Sequence, residues 1–212
     1  MPLDRALPPS RLPAHSSAEQ VARYFVQTSG VRVDLVGLDV LPAHVRLSLA
    51  GARLPEPPEA ALLDRVLQLV PAPLRMAVDR VLIVNTGETG RPGSYDGRII
   101  RIRTPALDLR RGDPEYGNQF SVFTTTVIHE VGHAAYEELL AMRQRETLLE
   151  DYILFLERSG AFAEGEPTET GTQHHLAALL LTALLGHSKP LMSVAYGRSV
   201  LAELGILVSP RR

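Results

Sequence analysis

A chain of 212 residues that is 45% hydrophobic and 22% charged has the composition of a globular protein, with room for one domain and a modest extension. The formal net charge of −2 excludes the strongly basic balance of nucleic-acid-binding proteins, and the absence of cysteine excludes disulfides and thiolate metal ligands. No apolar segment approaches the roughly 20 residues that span a bilayer, and no signal-peptide pattern is present. We therefore predict a cytoplasmic protein without membrane or nucleic-acid partners.

The first 50 residues predict one helix and two strands. Residues 1–17 are rich in proline and serine, as flexible lead-in segments are. Residues 18–29 have apolar side chains at helical spacing, and Gly30 follows them where a helix-ending glycine is expected. Segments 31–36 and 45–49 alternate between apolar and polar residues, which is typical of half-buried strands.

A proline cluster at residues 54–58 is the clearest internal break in the sequence. We place the domain boundary at its end. Residues 1–58 are then an N-terminal extension or small subdomain, and residues 59–212 are the main domain.

The main domain predicts strands first and helices afterwards. In chain order these are a helix over 59–70, a strand over 78–85, a glycine-rich loop over 86–93, a strand over 99–103, and helices over about 120–142, 145–158, 172–186 and 190–205. An Asp-Gly pair at 96–97 predicts the turn before the second strand. Strands followed by helices indicate an α+β fold, here a small sheet followed by a helical C-terminal half.

The segment HEVGH at residues 129–133 carries the chemistry. His129 and His133 are four residues apart, so a helix places both imidazoles on one face, where they can bind one zinc ion. Glu130 points about 100° away from His129, which suits a general base that takes a proton from water. Gly132 costs about 1 kcal/mol in a helix relative to alanine, and this predicts close packing there, which we expect to involve the backbone of an active-site strand.

A catalytic zinc ion needs a third protein ligand from elsewhere in the chain. Without cysteine, the candidates are histidines and carboxylates downstream of His133. His174 opens an apolar helix on its inward face, so it is our first choice. His175 is the second choice, and the acidic loop with Glu164, Glu166 and Glu169 is the third.

The HEVGH segment matches the zincin motif of zinc metallopeptidases. The order before it, a strand, a glycine-rich turn, a second strand and then the motif helix, resembles the catalytic domains of anthrax lethal factor and the Pro-Pro endopeptidases. This resemblance covers roughly residues 60–185 and is specific only at HEVGH. It implies a zincin-like metallopeptidase domain that hydrolyses peptides or proteins.

The same resemblance implies a role for each motif residue. His129 and His133 become zinc ligands, and Glu130 becomes the general base. The family places a glutamate ligand at the start of a later helix, and at the matching distance this sequence has His174. We accordingly predict a zinc site of three histidines, with a strand at residues 99–103 as the sheet edge that binds the substrate backbone.

Two departures from that family leave an alternative function open. Ala178 stands where the family has a second acid, and Pro167 stands near the place of its tyrosine. The alternative is a catalytically inactive zincin-fold module that binds or regulates a partner. The phenols that remain as candidates for stabilising an oxyanion are Tyr95, Tyr152 and Tyr196.

Overall fold

The computed structural model describes residues 7, 11–12, 17–31, 52–53, 57–84, 92–103, 108–159, 168–185 and 197–206. The helices are α1 (Ala18–Ser29), α2 (Pro57–Leu69), α3 (Ala72–Met76), α4 (Val122–Leu139), α5 (Met142–Ser159), α6 (Glu169–Leu185) and α7 (Arg198–Glu203). The strands are β1 (Ala52–Arg53), β2 (Arg80–Val84), β3 (Gly93–Asp96) and β4 (Ile99–Arg103). A small sheet is therefore followed by a mainly helical C-terminal half, which confirms the predicted α+β class.

The four strands form one mixed sheet in the order β1-β2-β4-β3. β2 and β4 are parallel, whereas β1 and β3 run antiparallel to their neighbours. The prediction that residues 99–103 form the edge was wrong, because β4 lies between β2 and β3. The hairpin that joins β3 to β4 places β4 beside β2 and leaves β3 on the outside, so β3 is one of the two edge strands of the described sheet, and β1 is the other.

Glycine is the first of the two turn residues in this hairpin, whereas in an Asp-Gly turn it is the second. Asp96 pairs with Ile99, so Gly97 and Arg98 are the two turn residues, with φ of 51° and 69°. The left-handed backbone costs a non-glycine residue roughly 1–2 kcal/mol. The Arg98 guanidinium forms ion pairs with Asp79 at 3.1 Å and with Glu138 at 2.8 Å. The turn is thereby attached to helix α4.

Helix α4 is the central element of the described fold. Ser121 caps its first turn by accepting a hydrogen bond from the Thr124 amide at 3.2 Å. The helix packs against β3, β4, α2, α3 and α6. Its two histidines, His129 and His133, are only half-buried, although most of the helix is buried. A helix that is buried on most sides belongs to a protein interior, and α4 is open only at its histidines and at its two ends.

The N-terminal residues that the structure describes belong to the same core as the main domain. Phe25 of α1 and Leu63 of α2 are fully buried in one cluster with Ile100 of β4 and Phe123 of α4. The domain boundary after residue 58 remains a prediction. None of the helices in the described ranges is long and apolar enough to cross a membrane.

Some predicted elements fall where nothing is described. These are the strands over 31–36 and 45–49, apart from Val31, and most of the loop over 86–93. Of the last predicted helix, the described residues 197–206 show a single short helix, α7. The helix predicted over 120–142 ends at Leu139, where Leu140 adopts extended backbone before α5 begins.

The contact between α5 and α6 contains a buried histidine. His175 is 2% exposed, and among the described residues neither of its ring nitrogens has a hydrogen-bond partner. The rings of Tyr152 and Phe155 lie 5.0 and 5.3 Å from it. Burial lowers the pKa of His175 to about 4.

We predict that His175 makes the protein less stable in acid. Between pH 6.5 and 4 the unfolded chain binds a proton at His175 and the folded chain does not. The contribution of His175 to the free energy of unfolding therefore decreases as the pH is lowered, by roughly 3 kcal/mol in all. His175→Phe keeps the ring packing and removes this titration. Urea unfolding of both proteins in EDTA, at pH 7 and pH 4.5, should show the variant gaining stability relative to wild type in acid. A stability difference that does not change with pH would contradict the prediction.

Candidate metal centre

His129 and His133 meet on one face of α4. Both lie inside the regular helix, so the four-residue spacing places their rings one turn apart, edge to face, with ring centres separated by 4.9 Å. Their Nε2 atoms lie 3.1 Å from each other. The helix therefore presents two imidazole nitrogens toward one point.

His174 reaches the same point from the first turns of α6. Its Nδ1 atom lies 3.2 Å from Nε2 of His129. The three histidines offer ring nitrogens that all lie within 4.8 Å of one another, which is a group that could hold a metal ion. The structure thus brings together the three residues that the sequence singled out.

The spacing of these nitrogens suits a small tetrahedral ion. A zinc–nitrogen distance of about 2.1 Å and a tetrahedral angle place two ligand nitrogens about 3.4 Å apart. The two separations of 3.1 and 3.2 Å are close to that value. Three neutral imidazoles would fill three positions of such a site and leave a fourth for another ligand.

The third histidine reaches the site because α4 and α6 approach each other very closely. A Cβ atom added to Gly132 would lie 2.6 Å from Cα of Ala177 and 2.8 Å from its Cβ. Gly132 is one residue before His133, and Ala177 is one helical turn after His174. The close packing expected at Gly132 is real, but the partner is the backbone of a helix and not that of a strand.

A cleft of about 840 Å³ opens over the three histidines. Its walls are the edge strand β3, the loop that precedes α4, and the facing sides of α4 and α6. This volume lies within the range of 300–1,000 Å³ that is typical of small-molecule sites. The candidate metal centre therefore lies in an open cleft.

Glu130 lies in this cleft beside the histidines. It is 5% exposed, and it sits under the start of the edge strand. A Cβ atom at Gly93 would lie 2.8 Å from Oε1 of Glu130 and 2.5 Å from Thr126. A side chain at position 93 would have to displace these atoms, so the glycine lets β3 pass close to the Glu130 side chain.

The other candidates for a third ligand do not join the cluster. His175 points away from it into the contact between α5 and α6, next to Tyr152. Glu169 is exposed at the start of α6, where its carboxylate lies 3.9 Å from Arg145. Glu164 and Glu166 lie outside the described residues.

The prediction from the sequence did not include two polar residues that lie near the histidines. Gln173 accepts a hydrogen bond from Nδ1 of His133 at 3.3 Å, and its amide nitrogen donates to Glu137 at 2.6 Å. Glu137 follows His133 by one turn, a spacing that could have drawn attention to it. Gln173 gave no signal, because its contact with His133 joins two helices that are 40 residues apart in the chain.

The phenols that line the cleft are Tyr95 and Tyr116. Burial raises the pKa of Tyr95 to about 12, with a contribution from Glu138, which accepts its hydroxyl hydrogen at 3.0 Å. Burial also raises the pKa of Tyr116, which the sequence did not single out. Both phenols are therefore neutral hydrogen-bond donors at physiological pH. Tyr152 packs against His175, and Tyr196 lies outside the described residues.

Comparisons with protein-family models, with curated proteins and with solved structures found no match for this chain. The resemblance to the lethal factor and Pro-Pro endopeptidase domains rests on HEVGH and on the order of the elements. The function is therefore inferred from the geometry of the site.

We predict that Gly132→Ala opens the contact between α4 and α6. Helix propensity alone would stabilise the protein by up to about 1 kcal/mol, whereas overpacking against the Ala177 backbone costs roughly 1–3 kcal/mol. The overpacking is expected to dominate, because backbone atoms cannot move aside as a flexible side chain can. The variant should unfold at lower urea concentration and bind zinc more weakly. Unchanged zinc affinity together with a higher unfolding midpoint would contradict the prediction.

Proposed function

We propose that this protein is a zinc-dependent hydrolase of the zincin class that cleaves peptide bonds. The observation that carries the proposal is the convergence of His129, His133 and His174 in an open cleft, with Glu130 buried beside them. Two histidines and a glutamate in HEVGH spacing, together with a third ligand from a later helix, are the parts that such hydrolysis needs.

Zinc suits this donor set better than the harder cations do. Calcium and magnesium prefer oxygen ligands, whereas zinc binds imidazole nitrogen in four-coordinate sites. Neutral imidazoles also leave the full charge of the ion available. When bound, zinc would polarise the scissile carbonyl and lower the pKa of a water molecule toward about 7.

Glu130 is the proposed general base. Its position beside His129 in the helix keeps it out of the group of three nitrogens, and Gly93 of β3 lies close to it at the cleft wall. A carboxylate there can take a proton from the attacking water and later deliver it to the leaving amine. Its burial leaves little bulk water to compete for that proton.

The edge strand β3 favours an extended peptide as the substrate. The amide of Arg103 donates to the carbonyl of Pro92 at 2.8 Å, so every second β3 residue from Pro92 onward is hydrogen-bonded to β4. Gly93 and Tyr95 therefore direct their backbone N–H and C=O groups away from β4, along the side of β3 that borders the cleft. A substrate strand would pair with these two residues and pass over Glu130.

We predict that the purified protein binds one equivalent of zinc through the three histidines. His174→Ala should reduce the affinity for zinc by more than roughly 10- to 100-fold, which is the loss typical of replacing a residue that only hydrogen-bonds to a metal ligand. His175→Phe is the matched control, since it changes the next residue of α6 and should keep the wild-type affinity. Competition titrations with a zinc indicator would measure both. Wild-type affinity in His174→Ala would remove His174 from the site.

We predict that Glu130→Gln keeps the zinc and loses hydrolysis. The amide cannot accept the proton, so kcat should fall by about 10²- to 10⁴-fold on a peptide library. Glu146→Gln is the control, because Glu146 is exposed on α5 and lies outside the cleft. If the wild-type protein binds zinc and cleaves no peptide in the library, the inactive binding or regulatory module becomes the better explanation.

A further inference from the structure

A chain of three side chains leads away from the candidate metal centre. Nε2 of His133 faces His129 at 3.1 Å, while Nδ1 of the same ring faces Oε1 of Gln173 at 3.3 Å. The other end of the Gln173 amide lies 2.6 Å from the Glu137 carboxylate. His133 and Glu137 are on α4, and Gln173 is on α6, so the chain crosses between the two helices and returns.

The Glu137 carboxylate dictates how every proton in this chain is arranged. An ionised carboxylate only accepts hydrogen bonds, so the group of Gln173 that faces Glu137 must be its NH₂. The carbonyl oxygen of Gln173 must then face His133. A carbonyl oxygen also only accepts, so Nδ1 of His133 must carry the proton. In the neutral ring Nε2 is then unprotonated, and Nε2 is the nitrogen that faces His129.

We infer that Gln173, oriented by Glu137, is a positioning residue that fixes the tautomer and the ring angle of His133 so that its Nε2 can bind metal. The inference rests on the proposed metal centre. Histidine ligands commonly donate their second N–H to a carboxylate or a carbonyl oxygen, which fixes the ring. Here a neutral amide stands between the imidazole and the carboxylate, so no full negative charge touches the ligand.

In this arrangement α6 supplies one of the three proposed ligands and orients a second one. His174 contributes its own Nδ1 atom, and the preceding residue, Gln173, orients His133 on the other helix. Because α6 is seated against Gly132, any shift of the helix changes both contacts together.

Cobalt binding tests the inference, because Co²⁺ in a tetrahedral site has a visible spectrum that reports both affinity and geometry. Gln173→Leu should weaken Co²⁺ binding by about 10- to 100-fold. Gln173→Glu combined with Glu137→Gln rebuilds the chain with the carboxylate and the amide exchanged, and it should restore wild-type affinity or exceed it. The control is Glu138→Gln, on the same turn of α4 but bonded to Tyr95 and Arg98, which should leave the affinity unchanged.

The tautomer of His133 gives a second test that does not depend on metal. Long-range ¹H–¹⁵N spectra of the metal-free protein, assigned by the loss of signals in His133→Ala, should show Nδ1 protonated and Nε2 bare. Gln173→Leu should shift the ring toward the Nε2-protonated form, and the exchanged double variant should not. A wild-type ring protonated at Nε2, or Co²⁺ affinity unchanged in Gln173→Leu, would overturn the inference. If the wild-type protein binds no metal, the proposed function fails, and the tautomer spectra still test the contact itself.

Discussion

The contact between Gly132 and Ala177 is the constraint on which the candidate site depends. Without a side chain on Gly132, the backbones of α4 and α6 come close enough for a third histidine to reach two others. His129 and His133 are fixed by one helix, and His174 belongs to another, so their relation is a property of the helix crossing. Glycine in a helix interior is unfavourable by about 1 kcal/mol relative to alanine. In this protein the glycine allows α4 and α6 to approach each other closely.

Two consecutive glutamates near the end of α4 hold the two walls of the cleft. Glu137 binds α6 through Gln173, and Glu138 binds the β3–β4 hairpin through Tyr95 and Arg98. Neither glutamate belongs to the histidine cluster. Both glutamates are exposed, so the hydrogen bonds and ion pairs that they form each contribute modestly to stability. Their main effect is geometric, because together they fix the edge strand and the ligand helix relative to one central helix.

Local periodicity explains why much of the site could be predicted. A four-residue spacing in a helix defines a shared face whatever the rest of the chain does, so His129 and His133 could be paired from sequence alone. The α+β order followed from apolar alternation before residue 103 and from helical spacing after residue 120. Helical spacing favours His174 over His175 because His174 shares a face with apolar residues, and the structure places these two histidines on different sides of α6.

By itself the sequence determined the strands β2 and β4, most of the longer helices, the motif face of α4 and the side of α6 that carries His174. Only the tertiary structure decided which strand is the edge, what packs on Gly132, and that Gln173 contacts His133. These three features depend on distances between segments that are far apart in the chain, and periodicity within one segment contains no information about them. A strand has the same alternation in the middle of a sheet and at its edge, and a helical glycine has the same cost whether a strand or a helix lies against it.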